Sequence, residues 1–366
     1  MNILVLSWRG PGHPLAGGAE ISTHEHTKGW VKAGHRVTLF TSVFPGGKSE
    51  EIHAGVRIIR RGGDIFGVHL AAFFWYLFGQ HSKFDLVVDE FHGIPFFTPL
   101  YVRVKKLGFI HEVAQKVWSF NPWPKPFNLI PAVVGKIGEP LVFKLLYKQI
   151  PFMTVSKSTK KDLVNFGVEI VTVVHNGVTL PRNLPKAAKE KVFTVIYLSV
   201  LAKDKGIEDA IKAFELFHHQ SPRSKFWIIG KGDSNYTSYL TSLCKFCKFW
   251  GYVTERKKFE LLSRAQVLLN PSIHEGWGLV NIEANSIGIP VVGYDVAGTR
   301  DSVKNGETGY LVEEGRPDLL AEKVFRLTND PSHYAELSKN ALEWSENFTW
   351  EKSCSKSLSF IKIAAL

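Results

Sequence analysis

Cysteine is scarce in this chain, with three among 366 residues. Cys244 and Cys247 form one C-x-x-C, Cys354 stands far from them, and no second pair exists to complete a four-ligand zinc site. The surrounding run Tyr239–Trp250 reads as helical, whereas a redox C-x-x-C belongs at a strand-to-helix turn. A reduced, intracellular protein is therefore expected. Long apolar runs are missing too. No window reaches eighteen clean apolar residues, and the nearest approach, Leu70–Gly79, is too short to cross a bilayer. The opening MNILVLSW lacks the basic leader, extended apolar stretch and cleavage site of a signal peptide. These shortages predict a cytoplasmic protein, either soluble or held peripherally at the inner face of the cell membrane.

Acidic residues are outnumbered, 34 Asp and Glu against 45 Lys and Arg, for a net charge of +11. The imbalance is local. Residues 1–180 hold 20 basic and 12 acidic side chains, and residues 181–366 hold 25 and 22. The basic excess of the first half suits a phosphate-bearing substrate or an acidic membrane surface. No DNA- or RNA-binding pattern accompanies it, so nucleic acid is not an expected partner.

What is present is repetition. An apolar composition of 45% supports a large core divided into two or three domains. Asn2–Ser7 reads as a buried parallel strand, Arg9–Gly18 as a glycine-rich loop, Ala19–Ala33 as a helix and His35–Thr41 as a second strand. Phe84–Asp89, Phe109–His111 and Phe152–Ser156 look like further strand ends, with Thr98–Lys106 helical between two of them. Residues 176–191 are rich in proline and lysine, as a linker would be. The pattern then restarts. Strands are expected at Phe193–Val200, Lys225–Gly230, Phe249–Val253, Val267–Asn270 and Pro290–Tyr294. Helices are expected at Gly206–His218, Thr237–Cys247, Arg256–Ser263 and Leu279–Ser286. The prediction is an α/β chain of two facing Rossmann-like domains, residues 1–180 and 181–346, with a deep cleft between them. Residues 347–366 form a last helical stretch that either stays on the second domain or crosses back to the first.

The segment His274–Glu283, HEGWGLVNIE, follows the buried strand VLLN. Gly276 and Gly278 allow close backbone approach to a bulky anion, and the amides of Gly278, Leu279 and Val280 open the following helix toward phosphate. Glu283 falls in the second turn, where a carboxylate is a natural acceptor for a diol such as ribose. Arg9–Gly18 does not have the Gly-x-Gly-x-x-Gly spacing of a dinucleotide-binding oxidoreductase. His24 and His26 lie on different faces of one helix and are given no metal role.

Glu275 and Glu283 are spaced as in the E-x7-E motif, and the segment resembles that of the retaining nucleotide-sugar glycosyltransferases of the two-Rossmann-domain class (GT-B), family 4-like. The resemblance also takes in Gly17-Gly18, Gly34-His35, Val155-Ser156, Asn176-Gly177-Val178, Lys205-Gly206, Gly230-x-Gly232, Gly288–Val292, Gly298 and Glu307–Val312. It implies an enzyme that moves a hexose of glucose or mannose type, with retention, from a UDP-, GDP- or ADP-sugar to a glycan or lipid-linked acceptor. The nucleotide sugar is a substrate, and neither a metal nor a permanent cofactor is implied, since the chain has no Asp-x-Asp. The implied roles follow the matched positions. Gly17 and Gly18 close over the diphosphate, Lys205 contacts the donor phosphates, and Leu279 and Val280 meet phosphate through their backbones beside Gly278. Gly230, Tyr252 and Val253 lie on the nucleotide side. Glu275 reaches the transferred sugar, Glu283 holds the ribose, and His111 faces the sugar with Glu112 nearby.

One departure stands out. The family pattern has Gly-Arg where this chain has Ser199-Val200, and valine neither donates a hydrogen bond nor neutralises a diphosphate. Lys203 and Arg9 are the candidate substitutes, and without one the chain becomes a slow transferase or a sugar-nucleotide binder. The aromatic and basic region 118–150 has two readings. It either packs inside the first domain or lies on an anionic membrane surface, with Trp118, Trp123 and Phe127 at the interface.

Overall fold

The computed structural model of the protein describes every residue except 64, 92, 121–126, 128 and 182–187. Trp123, at the membrane interface in one of the two readings of region 118–150, lies outside the described residues. The chain divides into two compact units, Met1–Asn176 with Trp350–Leu366, and Gly177–Thr349.

In the first unit the elements run β1 (Asn2–Leu6), α1 (Gly18–Lys32), β2 (Arg36–Thr41), β3 (Glu50–His53), β4 (Val56–Arg60), α2 (Ile65–Phe78), β5 (Leu86–Phe91), α3 (Thr98–Tyr101), β6 (Lys105–Ile110), α4 (Leu129–Val142), β7 (Phe152–Thr154), α5 (Lys157–Asn165) and β8 (Val171–Val173). Among the described residues they form one eight-stranded sheet in the order β3-β4-β2-β1-β5-β6-β7-β8, parallel except for the β3–β4 hairpin. Chain direction across the sheet reverses between β1 and β5. Connections after β1 run one way and those after β4 the other, so right-handed crossovers put α1 on one face and α2 to α5 on the opposite one.

Burial follows that geometry. Leu4, Leu6, Phe40 and Val87 pack under Val68, Ala72 and Trp75 of α2. Opposite them, His26 and Trp30 of α1 are enclosed with Phe109. The last helix, α13 (Trp350–Ala364), belongs to this unit. Its Ser357 hydroxyl lies 2.9 Å from His26 Nδ1 and accepts from Trp30 Nε1 at 3.0 Å.

The second unit runs β9 (Thr194–Leu198), α6 (Ile207–Gln220), β10 (Lys225–Ile229), α7 (Ser234–Leu243), β11 (Cys247–Gly251), α8 (Glu255–Arg264), β12 (Val267–Asn270), α9 (Leu279–Asn285), β13 (Val291–Tyr294), α10 (Thr299–Ser302), β14 (Gly309–Val312), α11 (Pro317–Asn329) and α12 (Pro331–Ser345). Its sheet is parallel and six-stranded among the described residues, in the order β11-β10-β9-β12-β13-β14. Alternate residues of the central strands feed opposite cores. Tyr197 and Leu269 join α6 and α11 on one face, while Ile196 and Leu268 join α8 and α9 on the other. The expected pair of Rossmann-like α/β domains is therefore present.

Three sequence expectations need correction. Thr98–Lys106 is not one helix, because the α3 turn ends at Tyr101 and Lys105 already pairs with Leu86 in the sheet. Thr237–Cys247 stops at Leu243. Cys244 leaves the helix in an extended conformation, and Cys247 starts β11. That turn brings the two Cα atoms to 5.4 Å, within bridging distance, and the sulfurs are bonded, contrary to the reduced reading. Trp118, for which packing inside the first domain was one of two readings, is turned inward. It packs against Gly135 of α4, and its Nε1–H donates to Glu139 at 3.3 Å. Glu139 further accepts the backbone amides of Ala114 and Gln115 at 2.7 and 2.8 Å, tying α4 to the chain just past β6.

Candidate active site

Ligands of open α/β sheets gather at the carboxyl ends of strands where chain direction switches. In the second unit that point lies between β9 and β12. The segment leaving β9 carries Ser199 to Gly206, and the one leaving β12 carries Pro271 to Gly278.

These two segments are tightly joined. The Ile273 amide donates to the Asp204 carbonyl at 3.0 Å. Gly206 sits at φ +66° so close to Pro271 that a Cβ would lie 1.9 Å from its carbonyl oxygen. The Tyr197 hydroxyl, buried beneath, donates to the Lys205 carbonyl at 3.1 Å. The short 3-10 turn Lys203–Lys205 is thereby set against the HEGWG loop. Lys205 Nζ donates to the His274 carbonyl at 2.9 Å and pairs with Glu275 Oε1 at 3.2 Å. Two residues 70 positions apart in sequence thus meet as one charged centre, partly open to solvent.

Behind it, Gly278 adopts φ +75° and starts α9. A side chain there would collide with the Asn281 amide, 2.5 Å from a Cβ. Asn281 cannot easily yield, since it accepts from Asn270 at 2.8 Å and donates to Ser302 at 2.9 Å, all buried. The glycine therefore lets the chain turn into α9 without displacing Asn281, and Leu279 and Val280 at the start of the helix lie half-buried. Trp277, between the two glycines, is buried against Phe348.

Glu283 lies in the second turn of α9, away from Lys205 in its pairing. Its Oε1 accepts from Lys258 Nζ of α8 at 2.7 Å. Burial pushes the Glu283 carboxyl above its ordinary value, and the Lys258 ammonium opposes that rise. For Lys258, burial favours the neutral form, but Glu283 and Glu255 outweigh it and hold the ammonium above its usual range. Sequence reading missed Lys258, as nothing local distinguishes it from the other basic residues of α8.

The residues expected on the nucleotide side fall at neighbouring strand ends. Gly230 follows β10, donates its amide to the Gly251 carbonyl at 3.0 Å, and has φ +155°, with a Cβ position 1.8 Å from Ser199 O. Tyr252 follows β11 as an exposed ring under Lys231 Nζ, 4.5 Å from its centroid, and Val253 is half-buried. Val200 is exposed, and so is Lys203.

In the first unit the direction switch lies between β1 and β5, and the remaining expected residues cluster around it. Gly17 caps α1 and Gly18 opens it. The Gly17 amide donates to Glu20 Oε2 at 2.6 Å, and Glu20 Oε1 pairs with Arg9 Nε at 2.8 Å. Arg9 also donates to the Leu15 carbonyl at 2.8 Å, so it braces its own loop. His111, just past β6, is buried with Nε2 3.1 Å from Glu90 Oε1, and the same oxygen accepts from Thr23 at 2.6 Å. Glu112 is half-buried beside it. Glu20 and Glu90 were not singled out from sequence. A buried carboxylate at a strand end or in a first helical turn has no local signature beyond its acidity.

Known proteins share this fold. Residues 16–182 match Glycosyltransferase Family 4, and residues 182–344 match Glycosyl transferases group 1. The chain is a GT-B glycosyltransferase related to these two families. Over 182 residues this glycosyltransferase is 31% identical to the capsular polysaccharide biosynthesis glycosyltransferase CapM of Staphylococcus aureus, spanning 46% of this chain and 47% of that one. Its fold is that of sucrose-phosphate synthase from Thermosynechococcus elongatus, with TM-score 0.77, 20% identity, and 99% and 98% of the two chains covered. HepE of Anabaena, solved in complex with UDP-glucose, superposes with TM-score 0.74 at 18% identity, covering 99% of each chain. Among the described residues of the glycosyltransferase, no helix is long and apolar enough to cross a membrane. Nor do three or more His, Cys, Asp or Glu side chains group to hold a metal ion.

Proposed function

We propose that this glycosyltransferase moves a hexose of glucose or mannose type from a nucleotide diphosphate sugar to a glycan or lipid-linked acceptor, with retention and without a metal ion. The observation that carries the reading is the Lys205–Glu275 pair, 3.2 Å apart, at the switch point of the second sheet. A lysine held on the loop that leads into α9 offers fixed positive charge to a departing diphosphate. Glu275 then faces the sugar, Glu283 the ribose, and Leu279 and Val280 the phosphates. His111, Gly17 and Gly18 serve the sugar and diphosphate from the first unit. The bond from the anomeric carbon to the diphosphate oxygen breaks, the acceptor oxygen bonds to the same face, and its proton passes to the departing phosphate. The UDP-glucose held by HepE supports a UDP-sugar as the first donor to test.

A lipid-linked acceptor is supported by α4. Phe127, Leu129, Ile130, Val133, Val134 and Ile137 are all exposed beside Lys136, a pattern that suits an anionic membrane surface. One observation favours a slower enzyme or a plain sugar-nucleotide binder. Arg9, a candidate to replace the missing arginine, is paired with Glu20.

Titration calorimetry with UDP-, GDP- and ADP-sugars, followed by NMR of the anomeric proton of the product in the presence of EDTA, tests the whole reading. Binding of one donor and transfer with unchanged anomeric configuration is expected. Failure to bind any of them, or inversion, overturns it.

A further inference from the structure

Lys258 is a buried cation of the second unit that the proposed chemistry leaves without a task. It lies on α8, whose Phe259, Leu261 and Leu262 share one buried core with Ala284 of α9. Its ammonium is within 2.7 Å of Glu283 Oε1 and 2.8 Å of Glu255 Oε2. The two carboxylates differ in surroundings. The Glu283 side chain is 14% exposed and that of Glu255 71%. The buried pair is therefore the one whose geometry the fold controls, while Glu255 is free to reorient in water.

A buried ion pair seldom adds stability over apolar packing of the same volume, because desolvation of both ions offsets their attraction. Such a pair does fix direction. With Oε1 held at 2.7 Å by an ammonium on a neighbouring helix, the Glu283 carboxylate is restrained from turning about its last bond. The same ammonium counters the burial that pushes the Glu283 carboxyl towards its neutral form. Both properties matter for a diol, whose two hydroxyls need two acceptor oxygens in a fixed plane, neither carrying a proton.

We infer that Lys258 is a positioning residue for the donor nucleotide, setting the orientation and charge of Glu283 so that it selects a ribose diol. The inference rests on the reading of Glu283 as the ribose acceptor. It adds that ribose selectivity belongs to a pair joined across two helices, and that the enzyme discriminates ribo- from deoxyribonucleotides through it.

The test is calorimetry of the full-length protein with UDP, GDP and ADP, each beside its 2′-deoxy and 3′-deoxy counterparts. The parent protein is expected to bind the ribo form of one nucleotide about tenfold more tightly than a deoxy form, the scale of one lost hydrogen bond to a charged group. Lys258→Met should bring that ratio close to one while leaving affinity for the deoxy form nearly intact, and Lys258→Arg should restore most of it. A role in packing alone would weaken ribo and deoxy forms alike, or neither. Should Lys258→Met not fold, Lys258→Gln keeps a donor without the charge and should lower the ratio as well. Glu283→Gln separates the two ideas. If it leaves the ratio intact, or the parent itself shows no preference, the ribose reading of Glu283 falls. If it abolishes the ratio while Lys258→Met or Lys258→Gln preserves it, the role of Lys258 alone is overturned.

Discussion

Lys205 Nζ lies 2.9 Å from the carbonyl oxygen of His274, which makes the lysine a strut between the segments leaving two adjacent strands as well as a charge. The same ammonium reaches the Glu275 carboxylate. Removing it should therefore cost charge stabilisation and loop registration together. Lys205→Ala is expected to lower kcat by about 10²–10³, the size of losing one preorganised electrostatic contact. Lys205→Arg should recover only part of the rate, because a planar guanidinium cannot reproduce a point charge between a carbonyl and a carboxylate. Steady-state transfer assays on both variants check this, and an alanine variant with parental kcat would remove Lys205 from the chemistry.

Gly206 tests the geometry without touching a charge. Its φ of +66° and the Pro271 carbonyl 1.9 Å from a Cβ position leave no room for alanine. Gly206→Ala must displace either the Lys203–Lys205 turn or the Pro271–Glu275 segment. A stability loss of about 1–3 kcal/mol is expected from backbone strain and overpacking, with weakened donor binding. Denaturant unfolding and calorimetry measure the two effects. Unchanged values in both would contradict the tight joint.

Val200 occupies the place where the family pattern has an arginine, and it is 57% exposed, so a larger side chain meets no packing obstacle. Val200→Arg is expected to tighten donor diphosphate binding by about tenfold through a charge-assisted contact. The gain should shrink as salt is raised. Isothermal titration at two ionic strengths suffices. A variant no tighter than the parent at low salt would mean that the diphosphate lies elsewhere.

His26 predicts a pH dependence of stability. Burial among Trp30, Phe109 and Trp350, with a smaller electrostatic contribution from His111, lowers it from 6.5 to about 3. Between those values the unfolded chain holds a proton that the folded chain does not. Stability is thus fully present above pH 6.5 and is lost as pH falls below it, at about 1.4 kcal/mol per pH unit. Unfolding free energies at pH 6.5 and 5.0 should differ by about 2 kcal/mol from this group. In His26→Gln, which keeps a polar partner for Ser357, the difference should shrink by that amount, and an equal acid loss in both proteins would acquit the histidine.

Much of the framework was legible because it is local. The alternation of apolar runs with helical periodicity marked most strands of both sheets, and the expected helix starts in the second half lie within about four residues of those observed. Glycines were readable for a similar reason. Gly278 and Gly206 occupy left-handed backbone positions that other residues rarely adopt. The β3–β4 hairpin was not legible, since Glu50–His53 is mostly exposed and carries only a weak strand pattern. Nor was the bond between Cys244 and Cys247, which depends on α7 ending one residue before the first cysteine.

The side-chain pairings are another matter. Lys258 with Glu283, Arg9 with Glu20 and Glu90 with His111 are each separated by between 11 and 25 positions. The docking of Ser357 on His26 spans 331. By itself the sequence determined the two repeats of βα units, the HEGWGLVNIE segment and its resemblance to glycosyltransferases, because backbone propensity and close-approach glycines act over a few residues. Only the tertiary structure decided that Lys205 meets Glu275, that Lys258 holds Glu283, and that α13 closes onto α1. Those contacts depend on which strands lie side by side and where chain direction reverses, and that order is set by the packing of whole sheet faces.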